Sequence, residues 1–502
     1  MAEPETRVGR ELLHGGAWMV AARWGLRSLG MINTFILARL LLPSDFGLVA
    51  MAMVVISLVE VPIQAGQDMA LIRHRNPSRA HYDSVWTFSI AVGLILTALL
   101  WAIAGPAASY FHEPRVTWLI RILALRTLIG GFENIGLADF RRDLRFDRVF
   151  VFMVLQRVFT SLITIAFALY WGDWRALVAG ILGGRLVGVA FSYIIHPYRP
   201  RVCLSAIREM LGFSGWMFAI NICQYVNDKA DELAVGSLGS PTAMGAYSVG
   251  SDVAIAPTAE TVLPATEALF PVFARVRDDV ETLRTGYLDM LGFVCILSIA
   301  IGEGMALVAS DFVNVILGQK WLVAVPLVRV LAVSGGLFAI MQNAIPVLTA
   351  IGHERLAGRL TAMRAAATLL AVYTAAAVGD VLTVAYARLL VTTVFLPGAF
   401  FAVSRVLPIT PTDLFGRLWR PIVAGIAMAI CVLAVHTEVL EIPGLRLAID
   451  VATGIVVYSA VIILLWALAR RPYGAEAVIV DRVMSLATMC RRCKSPDRTP
   501  IG

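Results

Sequence analysis

Apolar runs of about twenty residues follow one another along the whole chain, separated by short stretches of Pro, Gly, Asp and Arg. We place helices at approximately 15–42, 46–72, 82–104, 116–138, 147–170, 175–196, 210–238, 243–271, 284–308, 322–350, 356–378, 381–404, 418–436 and 446–469. The breaks carry turn chemistry: Pro43-Ser44-Asp45, Gly105-Pro106, Trp171-Gly172-Asp173, Pro197-Tyr198, Gly239-Ser240-Pro241, Gly379-Asp380 and Ile442-Pro443-Gly444. A helix rises 1.5 Å per residue, so each run matches the roughly 30 Å of a hydrocarbon core. The pattern predicts an all-α polytopic membrane protein with about fourteen spans.

Composition agrees. The 502 residues are 59% hydrophobic and 15% charged, whereas a soluble domain carries roughly 25% charged residues. A soluble chain with a very large core is the alternative, and the recurrence of span-length runs argues against it. The segment before Leu12 is polar and holds Arg7 and Arg10; the run after it continues to Leu42 and contains Arg23 and Arg27, so it is a retained first helix rather than a signal peptide. The six cysteines are scattered, and no disulfide framework is implied.

The net charge of +7 is a topology pattern. With the amino terminus inside, cytoplasmic segments hold Arg73, Arg75 and Arg79; Arg141, Arg142, Arg145 and Arg148; Arg199, Arg201 and Arg208; Arg275, Arg277 and Arg284; Arg355, Arg359 and Arg364; and Arg405, Arg417 and Arg420. The outer loops hold Arg115, Arg175, Lys320 and Arg446. Alternation of this kind fixes orientation, with both termini cytoplasmic, and explains the positive charge without nucleic acid as a partner. The carboxyl-terminal tail is basic and polar, with an apolar stretch at Ala475–Ala487 suited to lying along the membrane surface. Its Cys490-Arg491-Arg492-Cys493 is a lone CxxC, which implies no structural metal.

An internal echo recurs at a spacing of 198 residues: Trp18-Met19 and Trp216-Met217, Leu40 and Leu238, Pro43 with Gly47 and Pro241 with Gly245, Ala70-Leu71 and Ala268-Leu269. Six crossings fit between the copies, an even number, so the two halves share orientation and are related by a pseudo-two-fold axis along the membrane normal. The expected organisation is a cytoplasmic segment 1–14, an amino-terminal lobe 15–200 of six helices, a carboxyl-terminal lobe 201–408 of six more, two extra helices in 409–470 and the tail 471–502.

Two stretches carry a family resemblance: GGAWMVAARWGLRSLGMINTFILARLLLPSDFGLVAMAMVV, Gly15 to Val55, and GFSGWMFAINICQYVNDKADELAVGSLGSPTAMGAYSVGSDVAIAP, Gly212 to Pro257. Together they resemble the polysaccharide-exporter, or oligosaccharide flippase, branch of the multidrug/oligosaccharidyl-lipid/polysaccharide superfamily. The stretch Asp228-Lys229-Ala230-Asp231-Glu232 is more charged than that family's pattern. The resemblance implies a flippase of the bacterial inner membrane. It would carry an undecaprenyl-pyrophosphate-linked repeat unit outward by alternating access, for exopolysaccharide, capsule or O-antigen (lipopolysaccharide) synthesis. A polysaccharide polymerase and a chain-length regulator would be its partners, beside membrane lipid. A drug or metabolite antiporter of the same superfamily is the second reading, and a membrane polymerase or glycosyltransferase the third. Neither HExxH nor a Gly-rich phosphate loop nor a nucleophile elbow is present, and the outer loops are too short for a catalytic domain, so an enzyme is not expected.

Such a cargo needs a wet, cation-lined cavity, and ionisable residues inside a span mark it. Arg23 and Arg27 share one face of the first helix, with Gly16, Gly30 and Thr34 near the stripe. A planar guanidinium donates two hydrogen bonds at once to a pyrophosphate. Arg23, Arg27, Arg126 and Arg157 are therefore the candidate cargo ligands. Pairing of Arg23 and Arg27 with Glu60 or Asp68 is the structural alternative, and packing or snorkelling the alternative for Arg126, Arg157 and Arg185. In the second half, Asn221, Gln224, Asp228 and Asp231 fall on one helical face, and Asp252, Glu260 and Glu267 follow beside Pro257 and Pro264, expected to kink that helix. Asp228, Asp231, Asp252 and Glu260 are candidates for coupling to a Na⁺ or H⁺ gradient; an ion-pair cluster with Lys229 reads the same residues structurally. No other cofactor is expected.

Overall fold

The computed structural model describes residues 25–61, 71, 77–143, 145–206, 215–276, 279–436, 442–469 and 474. Every regular element among them is helical. Residues 25–40 form α1. The helices that follow are α2 (Pro43–Glu60), α3 (Arg79–Tyr110), α4 (Arg115–Gly131), α5 (Leu137–Arg142), α6 (Phe146–Trp171), α7 (Arg175–Ile195), α8 (Gly215–Ser237) and α9 (Pro241–Arg275). Then come α10 (Val280–Phe312), α11 (Val325–Gln342), α12 (Ala344–Ala350), α13 (Glu354–Val378), α14 (Val381–Ser404), α15 (Pro411–His436) and α16 (Pro443–Leu468). Among the described residues, 10 helical spans are long and apolar enough to cross a membrane. Large apolar side chains such as Ile95, Leu169, Leu370 and Ile455 stand exposed on them, as lipid-facing surface requires. The chain is an all-α, multi-pass membrane protein.

Local chemistry sets the helix ends. Pro43 opens α2 in the first turn, where a missing N–H costs nothing. The Asp45 carboxylate closes that turn by accepting from the Leu42 N–H at 2.9 Å. Gly172, at a φ of 67°, terminates α6 in the left-handed conformation that a residue without Cβ adopts freely. Two sequence expectations change. Gly105-Pro106 does not end a helix: α3 runs on to Tyr110, because a proline one turn from the end removes a single donor. The segment 322–350 divides at Asn343 into α11 and α12. Pro257 and Pro264, expected to kink their helix, lie within α9, which runs from Pro241 to Arg275.

By contacts the chain divides into two compact units. The first contains everything up to Asp252 together with 313–327 and 361–391. Within it, α3 and α4 form one antiparallel hairpin and α6 and α7 another, with α2 against α4 and α8 against α2. Small residues set how closely these helices approach, since lipid supplies no hydrophobic force between helices. Gly180, Gly184 and Gly188 form a stripe on α7 whose missing side chains leave room for Thr164, Thr160 and Gln156 of α6. In the other hairpin Gly93 and Gly131 lie against partner backbone, and Thr97 Oγ1 donates to both Gly93 O (2.7 Å) and Ala124 O (3.1 Å).

The tightest crossing in this unit joins the two copies of the echo. A Cβ built at Gly47 would fall on the Pro241 carbonyl, and one at Gly245 on the Pro43 carbonyl. Equivalent residues 198 apart therefore meet each other reciprocally, which is the contact a local two-fold axis makes at its centre. Segment 313–327 is tied to the end of α1: Trp321 Nε1 donates to Ala38 O at 2.8 Å, and Arg39 donates to the carbonyls of Ile316 and Val315.

The second unit holds α9 from Val253, α10, α11 from Val328, α12, α13 to Leu360, α14 from Thr392, and the α15–α16 hairpin. That hairpin packs on α10. Ion pairs join them, Arg417 to Asp289 (2.8 Å), Arg284 to Asp413 (2.9 Å) and Arg446 to both oxygens of Asp311 (2.9 and 2.5 Å), while Tyr458 Oη donates to Ile296 O at 2.8 Å.

Gly47→Val should lower the thermal unfolding midpoint of the purified protein, consistent with an overpacking cost of about 1–3 kcal/mol. The Gly47→Val/Gly245→Val double variant should lose less than the sum, because both changes push the same two backbones apart. An unchanged midpoint in the single variant would remove the crossing from the list of close contacts.

Candidate functional site

The first unit holds both ion-paired charges and charges with exposed side chains. Glu60 on α2 is 9% exposed. Its Oε2 accepts from Arg126 Nη2 and its Oε1 from Thr127 Oγ1, both at 2.7 Å. Glu60, expected as a partner of α1, is thus held by α4, and Arg126, expected to touch cargo, is its counter-ion. Arg185 pairs with Glu133 at 3.0 Å, with its guanidinium laid over Gly130.

Arg27 and Arg157 differ. Both side chains are exposed, and that of Arg157 lies in a span. They come from α1 and α6 and are close enough to feel one another's charge. Arg157 rests against Gly30, one turn beyond Arg27, where any side chain would displace it. Among the described residues, Arg157 has no carboxylate at ion-pair distance. Asp252 on α9 lies within electrostatic range of Arg27 and of Lys229. Arg23 and Asp68 lie outside the described residues.

The polar stripe of α8 is divided by its surroundings. Gln224 and Asp228 are exposed, whereas Asp231 is 1% exposed. Asp231 Oδ1 accepts from the Glu232 N–H at 3.0 Å. Its Oδ2 accepts from Tyr247 Oη of α9 at 2.7 Å and from Arg388 Nη1 of α14, an ion pair. Lys229 Nζ donates to Glu232 at 2.6 Å. Asp228 stands in the field of both Arg388 and Arg364. Asn227 Nδ2 donates to Cys223 O (2.9 Å) and to Thr361 O (3.1 Å), tying α8 to α13. Tyr225 Oη donates to Val54 O of α2 at 2.5 Å. Glu260 lies farther along α9, half-buried, in the second unit.

Three residues of this cluster escaped the sequence reading. Arg364 was counted with a cytoplasmic loop but lies within α13. Arg388 sits in the middle of an apolar span, where a charge is by itself a reason to look. Tyr247 carries no sequence pattern that marks its hydroxyl. Among the described residues no group of three or more His, Cys, Asp and Glu side chains is arranged to hold a metal ion; Cys490 and Cys493 lie outside them.

Breaking a buried pair costs about 3–5 kcal/mol, and joint replacement by apolar residues is often neutral. Because the Arg126 side chain is 27% exposed, Glu60→Ala should cost no more than the lower end of that range. Glu60→Ala/Arg126→Met should recover most of the loss. Chemical denaturation of the purified variants checks both, and a Glu60→Ala protein as stable as the parent would mean the pair contributes nothing.

The family model described as "Polysaccharide biosynthesis protein" matches residues 36–326. The succinoglycan biosynthesis transport protein ExoT of Rhizobium meliloti is 25% identical over 495 residues, 97% of this chain and 96% of that protein. The lipopolysaccharide biosynthesis protein WzxC of Escherichia coli is 23% identical, over 64% of this chain and 66% of its own length. The teichuronic acid biosynthesis protein TuaB of Bacillus subtilis is 24% identical, over 80% of this chain and 84% of its own. Among solved structures, the lipid II flippase MurJ in an inward closed conformation superposes with a TM-score of 0.70 at 13% identity, covering 90% of this chain and 99% of that one. An inward-facing multidrug resistance MATE family transporter gives a TM-score of 0.60 at 15% identity, covering 77% and 98%. These two share the fold. With the family model matched over more than half of its length, the chain belongs to the polysaccharide biosynthesis protein family.

Proposed function

We propose that this chain is a flippase of the bacterial inner membrane, moving an undecaprenyl-pyrophosphate-linked oligosaccharide repeat unit from the cytoplasmic to the outer leaflet by alternating access. The relatives' names support transport in polysaccharide synthesis, and the fold is shared with a lipid II flippase. Both termini face the cytoplasm in this reading, as the distribution of Arg requires, and the moving parts are the six-helix lobes 15–200 and 201–408.

The observation that carries the proposal is the Arg27–Arg157 pair. Two exposed guanidiniums in each other's field repel, and a diphosphate between them relieves that repulsion while accepting bidentate hydrogen bonds. Because Gly30 carries no side chain, the Arg157 guanidinium can lie against α1. Asp252, within range of Arg27, gives that cation an alternative partner when cargo has left. Exchange of Arg27 between a carboxylate and a phosphate keeps its charge answered at each stage. The sugar head needs water and hydroxyl-bonding groups, which exposed Gln224 and Asp228 supply along α8. The same exposed carboxylates, Asp228 and Asp252, are where an ion gradient would be coupled. A repeat unit delivered to the outer leaflet is the substrate that a polymerase there would take.

A hydrogen bond to a charged group contributes about 1.5–3 kcal/mol, roughly 10- to 100-fold in a rate or affinity that depends on it. Arg27→Gln/Arg157→Gln should therefore reduce surface polysaccharide at least tenfold and accumulate lipid-linked repeat units on the inner leaflet, with the protein level in the membrane unchanged. Lys at both positions should restore part of the output. Wild-type polysaccharide from the Gln pair would reject the cargo role, and drug sensitivity with normal polysaccharide in a deletion strain would favour the antiporter.

A further inference from the structure

The acidic character of α8 invites a metal cation, but at Asp231 three of the acceptor positions are already taken by protein donors, one of them a cation. A carboxylate offers about four lone-pair positions on two oxygens. At Asp231 one oxygen accepts the Glu232 N–H and the other accepts both Tyr247 Oη and Arg388 Nη1. All three partners present hydrogens to the carboxylate, so the shell is built to receive an anion's charge and not to ligate a metal through it. Arg388 comes from α14, 157 residues away, and its side chain is 17% exposed against 1% for Asp231. The neighbourhood is balanced: Asp228 and Asp231 face Arg364 and Arg388, and Glu232 is bonded to Lys229.

We propose that Arg388 is the resident cation of this helix. It does at Asp231 what a bound sodium ion would do, as a tethered charge on α14, and it bars alkali cations from that carboxylate. Arg388 is then a specificity-determining residue: any gradient this protein uses is not read at Asp231. The inference concerns ion binding alone and does not rest on the identity of the cargo.

The test compares thermal stability of the purified full-length protein in NaCl and in choline chloride at equal ionic strength. The parent should show the same unfolding midpoint in both salts. Arg388→Ala, which leaves Asp231 with an uncompensated charge and a vacated volume, should unfold several degrees lower in choline and recover saturably with Na⁺. Arg388→Ala/Asp231→Asn should lose that recovery. A saturable Na⁺ stabilisation of the parent that Asp231→Asn abolishes would overturn the proposal. So would a folded Arg388→Ala protein indifferent to Na⁺. Should Arg388→Ala fail to fold, the parent measurement decides the matter together with Arg388→Lys, which retains a tethered cation and should be as indifferent to Na⁺ as the parent.

Discussion

A charge placed inside a membrane span must be answered by another group or by water, and the helices of this protein are arranged around that requirement. Glu60 is answered by Arg126, Glu133 by Arg185, Asp231 by Arg388, Asp289 by Arg417 and Asp311 by Arg446. Except for Glu133, which lies in the bend after α4, both members of each pair come from helices, so these pairs act as registers, fixing which level of one helix meets which level of another. Burying both members of such a pair adds little net stability, whereas leaving one member alone is costly. Their effect is therefore to exclude alternative packings more than to deepen the chosen one.

Four further charged residues differ in exposure. Arg27, Arg157, Asp228 and Asp252 keep exposed side chains on their helices. The same cluster holds its charge in reserve: Arg27 lies in range of both Arg157 and Asp252.

Glycine supplies the geometry that charge pairing alone cannot. The stripe on α7, the seats beneath Arg157 and Arg185, and the reciprocal crossing of Gly47 with Gly245 all bring backbone or a long side chain closer than any Cβ allows. Where neighbouring surfaces are as apolar as lipid, this proximity and the dispersion contacts it permits are a principal source of helix association.

Much of the fold was legible in the order of residues, because a helix must satisfy its own backbone in lipid and must be long enough to cross it. Span-length runs, turn residues and an echo at Pro43–Gly47 and Pro241–Gly245 follow from that local demand, and the echo's two copies are found against each other. Pro106 does not end its helix, because a proline near a helix end loses only one hydrogen bond. The partners of the charges were not legible. Spacing placed Asp228 and Asp231 on one face, yet it took α9 and α14, folded against α8, to bury one behind Tyr247 and Arg388 and leave the other exposed. Periodicity along a helix reports which face a residue occupies, while the choice of partner depends on which helix arrives there, and that is decided only by packing in three dimensions.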